Sequence, residues 1–189
     1  MNQIWQFWRA GASEALVNNI IEVGNQYPVQ PTGMGFDGAE QNTDQRSSEL
    51  RWIDPNHHVA SNIVAALWYY GREANRNAFG FDIDYMPEIQ YTTYYSESLG
   101  KYDWHCDTFW ANPSSYDRKI SIIIQLSDSS DYERGDFEID PRYPPLPKDA
   151  IRDKGTVIVI PSFVNHRVTP VTSGIRKSLV TWIQGPKFR

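Results

Sequence analysis

The residues best suited to chemistry are a His-x-Asp triplet, His105-Cys106-Asp107, and a distant histidine, His166. On a β-strand, successive side chains point to opposite faces, so His105 and Asp107 project to one side and Cys106 to the other. The triplet therefore predicts an imidazole beside a carboxylate. A third ligand must come from far along the chain, and His166 is the natural candidate because it follows an apolar strand and a turn.

Two imidazoles and one carboxylate on one face of a metal ion leave three coordination positions open. Non-heme iron(II) oxygenases use this arrangement, and its nitrogen and oxygen donors suit iron(II) without a thiolate. A lone His-x-Asp triplet is also typical of a hydrogen-bonded structural histidine in a β-rich core. The choice between these interpretations depends on the residues that follow His166.

Arg176 follows His166 by ten residues, at the start of a new apolar strand. A dicarboxylate that chelates iron through one end leaves its second carboxylate pointing away from the metal. A buried guanidinium can bind that carboxylate with two parallel hydrogen bonds. Lys177 comes next, but neighbouring strand residues face opposite ways, so only one of the two can serve.

The elements that must position these residues are two helices followed by short strands. Ser13 is a plausible N-cap for the first helix, and apolar spacing predicts the second over residues 58–77. Residues 30–47, rich in Gly, Asn, Thr, Gln and Asp, form a long loop that we interpret as a lid. Strands are predicted over residues 4–8, 49–53, 88–96, 103–108, 119–127, 136–139, 156–160, 167–171 and 177–184. This order favours a β-sandwich or jelly roll with helices packed on one outer face.

Composition limits the function classes. The chain has 189 residues, of which 40% are hydrophobic and 22% charged, which suits one globular domain. A net charge of -5 argues against a general electrostatic grip on nucleic acid. A single cysteine, no signal-peptide pattern and no long apolar run together predict a cytoplasmic protein without membrane association.

Taken together, the motifs resemble the prolyl 4-hydroxylase-like branch of the 2-oxoglutarate and iron(II) oxygenases, especially small bacterial and phage PKHD-type proteins. The central match is the aromatic-x-x-His-x-Asp pattern at residues 102–107. The similarity covers about residues 46–185 and includes Arg46-Ser47-Ser48-Glu49 with Trp52, residues 89–94, Arg118-Lys119 with residues 121–127, Gly135-Asp136-Phe137, residues 154–161, residues 166–171 and Gly174-Ile175-Arg176 with residues 182–184.

The resemblance implies a mainly β fold with flanking helices. This is a double-stranded β-helix (jelly roll, cupin-like) with N-terminal helices packed on one face. We expect a single oxygenase domain over residues 1–189, with a helical and loop region over about 1–80 and a catalytic core over about 85–185.

The family's site residues carry over to this chain by position. The resemblance implies that His105, Asp107 and His166 are the metal ligands and catalytic residues, that Arg176 anchors 2-oxoglutarate, and that a tyrosine helps to hold it. That tyrosine falls on Tyr94, but an extra residue before the His motif leaves Tyr95 as the alternative. The implied cofactors are Fe(II), 2-oxoglutarate and O2, with ascorbate as a reductant.

The resemblance implies a dioxygenase that hydroxylates a prolyl residue in a peptide or protein and releases succinate and CO2. A proline-containing peptide or protein would then be the partner, and nucleic acid is not expected. Two alternatives stay open: the same chemistry on a free amino acid, another small molecule or a nucleobase, and a non-catalytic jelly-roll binding module.

Trp182 is expected to face the pocket or the core, and the aromatic residues Tyr102, Trp104, Phe109 and Trp110 to line a substrate groove or to pack.

Overall fold

Two antiparallel sheets form the body of the chain. The computed structural model describes residues 3–30, 44–111 and 113–188. The strands, in chain order, are β1 (Gln6–Trp8), β2 (Arg46–Ser47), β3 (Glu49–Ile53), β4 (Ile89–Tyr95), β5 (Lys101–His105), β6 (Tyr116–Gln125), β7 (Tyr132–Arg134), β8 (Phe137–Ile139), β9 (Val157–Pro161), β10 (His166–Val168) and β11 (Val171–Pro186). A larger sheet has the order β1-β9-β6-β11-β4-β3, with β7 paired to β11, and a smaller sheet has the order β2-β5-β10-β8.

The larger sheet is buried on both faces, which explains its nearly continuous apolar runs. Along β6, Ile122 and Ile124 belong to the core cluster that contains the helices, whereas Ile123 belongs to the cluster between the two sheets. Along β9, Val157 and Ile158 divide in the same way. Because successive strand side chains point to opposite faces, the larger sheet contributes side chains to both the helix-covered cluster and the cluster between the sheets.

The helices α1 (Glu14–Asn25) and α2 (Ser61–Ala74) cover the outer face of the larger sheet. The short helix α3 (Lys148–Arg152) instead contributes Ile151 to the apolar cluster between the two sheets. Ser13 caps α1, because its hydroxyl accepts a hydrogen bond from the Leu16 amide at 3.2 Å. The buried stripe of α2 packs against the sheet through Ile63 and Leu67. The predicted jelly roll with helices on one face is confirmed.

Several predicted bounds are wrong in detail. The second helix begins as a 3-10 turn at His58 and ends in a π-turn over Asn75–Phe79, where Gly80 adopts a left-handed conformation with φ of 70°. The strand β2 lies within the predicted loop of residues 30–47, and β7 and α3 lie between predicted strands, where no regular element was expected. Residues 31–43 of the proposed lid lie outside the described residues. In the part of the chain that the structure describes, no helix has the length and apolar character needed to cross a membrane.

Candidate active site

The two candidate histidine ligands are direct neighbours across two strands of the smaller sheet. His105 in β5 and His166 in β10 are register partners, and their ring centroids lie 4.3 Å apart. Each Nδ1 faces a backbone carbonyl oxygen, that of Asp103 at 2.7 Å and that of Val164 at 2.9 Å. Since a carbonyl only accepts, each Nδ1 carries the proton and each Nε2 keeps a lone pair for a metal.

The carboxylate of Asp107 completes the cluster, although not as the strand alternation predicted. The strand β5 ends at His105, and Asp107 lies beyond it. Its amide donates a hydrogen bond to the Ser162 carbonyl at 2.8 Å, which turns the chain back toward the site. Asp107 Oδ1 lies 3.7 Å from His105 Nε2, and Oδ2 lies 3.5 Å from His166 Nε2. One ligand atom from each residue lies within 4.8 Å of the others, a cluster that can hold a metal ion.

A pair of buried hydroxyl groups fixes the orientation of this carboxylate. Ser121 Oγ donates a hydrogen bond to Asp107 Oδ2 at 2.6 Å, and Ser121 Oγ and Ser162 Oγ are 2.9 Å apart. Both serines are fully buried. Neither serine was predicted from the sequence to be a site residue. Ser121 could have been predicted, because a polar residue in an apolar strand must find a hydrogen-bond partner on its own face of the sheet.

The protonation states of the cluster are those that bind metal. Burial, and after it the charge of His166, lowers the pKa of His105 from 6.5 to about 4. Burial alone would raise the pKa of Asp107, but the imidazoles, the Arg118 guanidinium and the Ser121 hydroxyl keep it below its usual value. At neutral pH the site therefore presents a neutral His105 and an ionised Asp107, as metal coordination requires.

Arg176 lies in the same pocket as the three candidate ligands, and it is only 1% exposed. Its Nη2 donates a hydrogen bond to Gln125 Oε1 at 2.9 Å, whereas Nε and Nη1 are buried without a partner. Within the described ranges, no carboxylate lies within 4.0 Å of this guanidinium. Two orphaned donors on a buried cation fit an anionic ligand that enters the pocket.

Tyr94 and Tyr95 are separated by the register of the larger sheet. Tyr94 in β4 is the register partner of Arg176, lines the pocket, and has its ring centroid 5.3 Å from the guanidinium carbon. The Tyr95 hydroxyl instead donates to Glu49 Oε2 at 3.0 Å. Lys177, next to Arg176, does not line the pocket. The geometry therefore places Tyr94, and not Tyr95, beside the candidate anion site.

The aromatic candidates divide between the pocket and the surface. Tyr102 stacks on His105 with ring centroids 3.5 Å apart, and Trp182 lines the pocket with its buried Nε1 unpartnered. Phe109 and Trp110 are 63% and 61% exposed and do not line the pocket. Trp104 packs under the guanidinium of a surface arginine. Only the first two are therefore placed to touch a ligand near the metal cluster.

The fold and the site together define a class: a double-stranded β-helix with two histidines and one carboxylate gathered between its sheets. Residues 89–184, half of the chain, match the 2OG-Fe(II) oxygenase superfamily. The chain belongs to this superfamily.

Relatives and solved structures agree with this assignment. A PKHD-type hydroxylase of Synechococcus sp. (strain CC9311) is 38% identical over 92 residues, which are 47% of this chain and 39% of that protein. The chain thus matches well under half of that relative's length. A Pseudomonas putida prolyl-4-hydroxylase has a TM-score of 0.71 at 18% identity, covering 98% of this chain and 94% of that one. A Trichoplax adhaerens prolyl hydroxylase in complex with a hypoxia inducible factor oxygen degradation domain peptide has a TM-score of 0.72 at 16% identity, covering 96% and 83%.

The residues present fit the cofactors of this superfamily. The His-Asp-His cluster has the donor types that Fe(II) prefers, with no thiolate among them. The orphaned donors of Arg176 suit the distal carboxylate of 2-oxoglutarate. The donors of this pocket therefore fit Fe(II) and 2-oxoglutarate, the metal and the cosubstrate for which the superfamily is named.

Proposed function

We propose that this chain is a dioxygenase dependent on Fe(II) and 2-oxoglutarate that hydroxylates a prolyl residue in a peptide or protein. In this proposal His105, Asp107 and His166 hold the iron, and Arg176 with Tyr94 holds 2-oxoglutarate. The observation that carries it is the buried Arg176, whose two unpartnered donors share one pocket with a three-residue metal cluster. A structural metal site or a binding module would have no need for that cation.

When iron and 2-oxoglutarate are bound, they supply the oxidising power: O2 cleaves the cosubstrate to succinate and CO2, and one oxygen atom goes to the substrate. The residues of this chain contribute positioning and exclusion of water. Ser121 holds one oxygen of Asp107, and the two backbone carbonyls fix the imidazole rings. The apolar wall, which includes Ile123, Phe137 and Val168, keeps water from the reacting atoms.

A prolyl substrate is supported by the relatives. The two prolyl hydroxylases of similar fold favour proline, and the peptide bound to the Trichoplax adhaerens enzyme favours a peptide. Tyr102 and Trp182 line the pocket of this chain, and their rings offer an apolar surface for a pyrrolidine ring.

The proposal is tested with Fe(II), ascorbate, labelled 2-oxoglutarate and a panel of proline-containing peptides, each paired with a peptide that has alanine in place of proline. We expect succinate release that depends on the proline peptide and a peptide mass gain of one oxygen. Succinate release without any oxygenated peptide would contradict the prolyl substrate while leaving the oxygenase. No succinate under any condition would refute the enzyme itself and favour a binding module.

A further inference from the structure

A second buried arginine, Arg46, faces the pocket from the smaller sheet. It lies in β2, is 5% exposed, and lines the pocket that contains the metal cluster. Its Nε donates a hydrogen bond to Ser48 Oγ at 2.9 Å, and its Nη2 donates to Gln90 Oε1 at 2.8 Å. Its guanidinium carbon lies 4.3 Å from the ring centroid of Tyr102. These contacts fix the side chain in one place.

No acidic side chain among the described residues neutralises the positive charge of Arg46. Both hydrogen-bond acceptors are neutral, and across residues 3–30, 44–111 and 113–188 no carboxylate lies within 4.0 Å of this guanidinium. Arg118 lies near the same pocket but forms an ion pair with Glu88. A buried cation without a counter-ion is costly, and the face of one tyrosine compensates only part of that cost. Arg46 is therefore prepared for an anion that comes from outside.

This anion is distinct from 2-oxoglutarate. Arg46 contacts Gln90, whereas Arg176 lies opposite Tyr94, four residues further along the same strand β4. At about 3.3 Å per residue, the backbone positions of Gln90 and Tyr94 are on the order of 13 Å apart along β4, so the two arginines approach the pocket from different points of this strand. The dicarboxylate cosubstrate has one end for Arg176 and one end for the metal, so it has no carboxylate left for Arg46. The remaining partner is the substrate.

Arg46 is close to the position where a substrate must be oxidised. Its guanidinium stands over Tyr102, and Tyr102 stacks on the candidate ligand His105 at 3.5 Å between centroids. The ring of Tyr102 thus contacts both the Arg46 guanidinium and the candidate metal ligand His105. A substrate carboxylate bound at Arg46 would bring a substrate carbon that is a few bonds away from that carboxylate close to the metal cluster. In an amino acid, the side-chain carbons are separated from the α-carboxylate by this number of bonds.

We propose that Arg46 binds a carboxylate of the substrate and selects substrates whose oxidised residue carries a free carboxylate. The preferred substrate is then a C-terminal residue or a free amino acid, rather than an internal residue of a chain. This inference rests on the proposed function: a C-terminal prolyl residue would narrow the peptide substrate, and a free amino acid would replace it.

The test compares pairs of probes in which one member has a free carboxylate and the other has a neutral amide in its place. The probes are an N-acetylated tripeptide with C-terminal proline as the acid or the amide, and proline as the acid or the amide. Binding is measured by calorimetry to the full chain loaded with Ni(II) and 2-oxoglutarate, so that no turnover is needed. We expect at least one acid to bind about 30-fold or more tighter than its amide, as for a buried charge pair. The peptide and the free amino acid distinguish the two sources of the carboxylate.

Substitutions of Arg46 then test whether this residue causes the preference for the acid over the amide. Arg46→Gln should bring the acid and the amide to within about threefold of each other, and Arg46→Lys should keep part of the preference because it keeps the charge. The matched control is Arg51→Gln, since the Arg51 side chain donates to the backbone carbonyls of Asn25 and Tyr27 and does not line the pocket. This control should leave the preference unchanged. Ni(II) affinity and melting temperature are recorded for every variant.

Several results would overturn the inference. They are equal binding of acid and amide by the unmodified chain, no binding of any probe, or a preference that survives Arg46→Gln. A loss of Ni(II) affinity in Arg46→Gln and Arg46→Lys would show that Arg46 instead positions Tyr102 against His105, and it would overturn the inference too. Failure of the proposed function is a different result: the acid preference is present, but no probe or peptide is oxygenated.

Discussion

Replacement of Arg176 by methionine tests separately how the buried charge affects the stability of the protein and how it affects the binding of 2-oxoglutarate. Methionine is unbranched and can fill the space of the arginine stem. In the ligand-free protein, Nε and Nη1 of Arg176 have no partner and the side chain is 1% exposed, so the cation destabilises this state. Its removal leaves Gln125 Oε1 without its donor, which costs about 1–3 kcal/mol. These two effects oppose each other, so we expect the melting temperature of the ligand-free variant to stay the same or rise.

The binding of 2-oxoglutarate should respond in the opposite direction. Removal of one partner from a buried charge pair costs about 2–5 kcal/mol. Since each 1.4 kcal/mol is tenfold, the dissociation constant for 2-oxoglutarate should rise by about 30- to 4,000-fold. The control is Lys177→Gln, which removes the same charge from the neighbouring residue outside the pocket. It should change the dissociation constant less than threefold, within about 0.6 kcal/mol.

Calorimetry on the Ni(II)-loaded proteins measures this constant, and thermal unfolding gives an independent check. At a 2-oxoglutarate concentration of about 100 times the dissociation constant, the ligand stabilises the unmodified protein by about 2.7 kcal/mol. A 100-fold weaker variant at the same concentration would gain only about 0.4 kcal/mol. An Arg176→Met variant that binds 2-oxoglutarate within threefold of the unmodified protein would refute the assignment of the anchor.

Three further predictions concern the metal cluster. Asp107→Ala should abolish measurable Fe(II) binding and 2-oxoglutarate decarboxylation while the circular dichroism spectrum is retained; metal affinity equal to that of the unmodified chain would exclude Asp107 as a ligand. Ser121→Ala should weaken metal binding by about 10- to 100-fold, because Asp107 loses the hydrogen bond that orients it, whereas Ser162→Ala, which removes only the hydroxyl behind Ser121, should have a smaller effect. Equal effects of the two serine variants would contradict this order. Because the pKa of His105 falls to about 4 in the metal-free fold, the unfolded chain binds more protons between pH 4 and 6.5. The free energy of unfolding should therefore fall as the pH drops through that range, by up to about 1.4 kcal/mol per pH unit, and urea unfolding of His105→Gln should show a flatter pH dependence.

Local patterns in the sequence determined the elements and the candidate chemistry. The His-x-Asp triplet indicated His105, and a position after an apolar strand and a turn indicated His166. The strong apolar runs predicted the buried strands β6 and β9. Helical spacing after Ser13 predicted α1. These features depend on side chains a few residues apart, so they can be read without knowing which strands pair. The metal and cosubstrate roles of the individual residues stay predictions until they are tested by substitution.

Only the tertiary structure decided how these residues meet. The strand alternation predicted that Asp107 follows His105 on one face, but the strand stops at His105 and the carbonyl of Ser162 places the carboxylate. Register with Arg176 across β11 and β4 selected Tyr94 over Tyr95.

The partners of Arg46 also required the fold, because Gln90 lies 44 residues away in the sequence. Only the packed structure shows that no carboxylate of the described residues lies within 4.0 Å of the Arg46 guanidinium. Side-chain alternation is a local property of the chain, whereas strand register and charge compensation depend on contacts between distant segments. The sequence therefore indicated the candidate metal ligands and the candidate anchor Arg176, and long-range pairing decided which further groups join them and where each of them points.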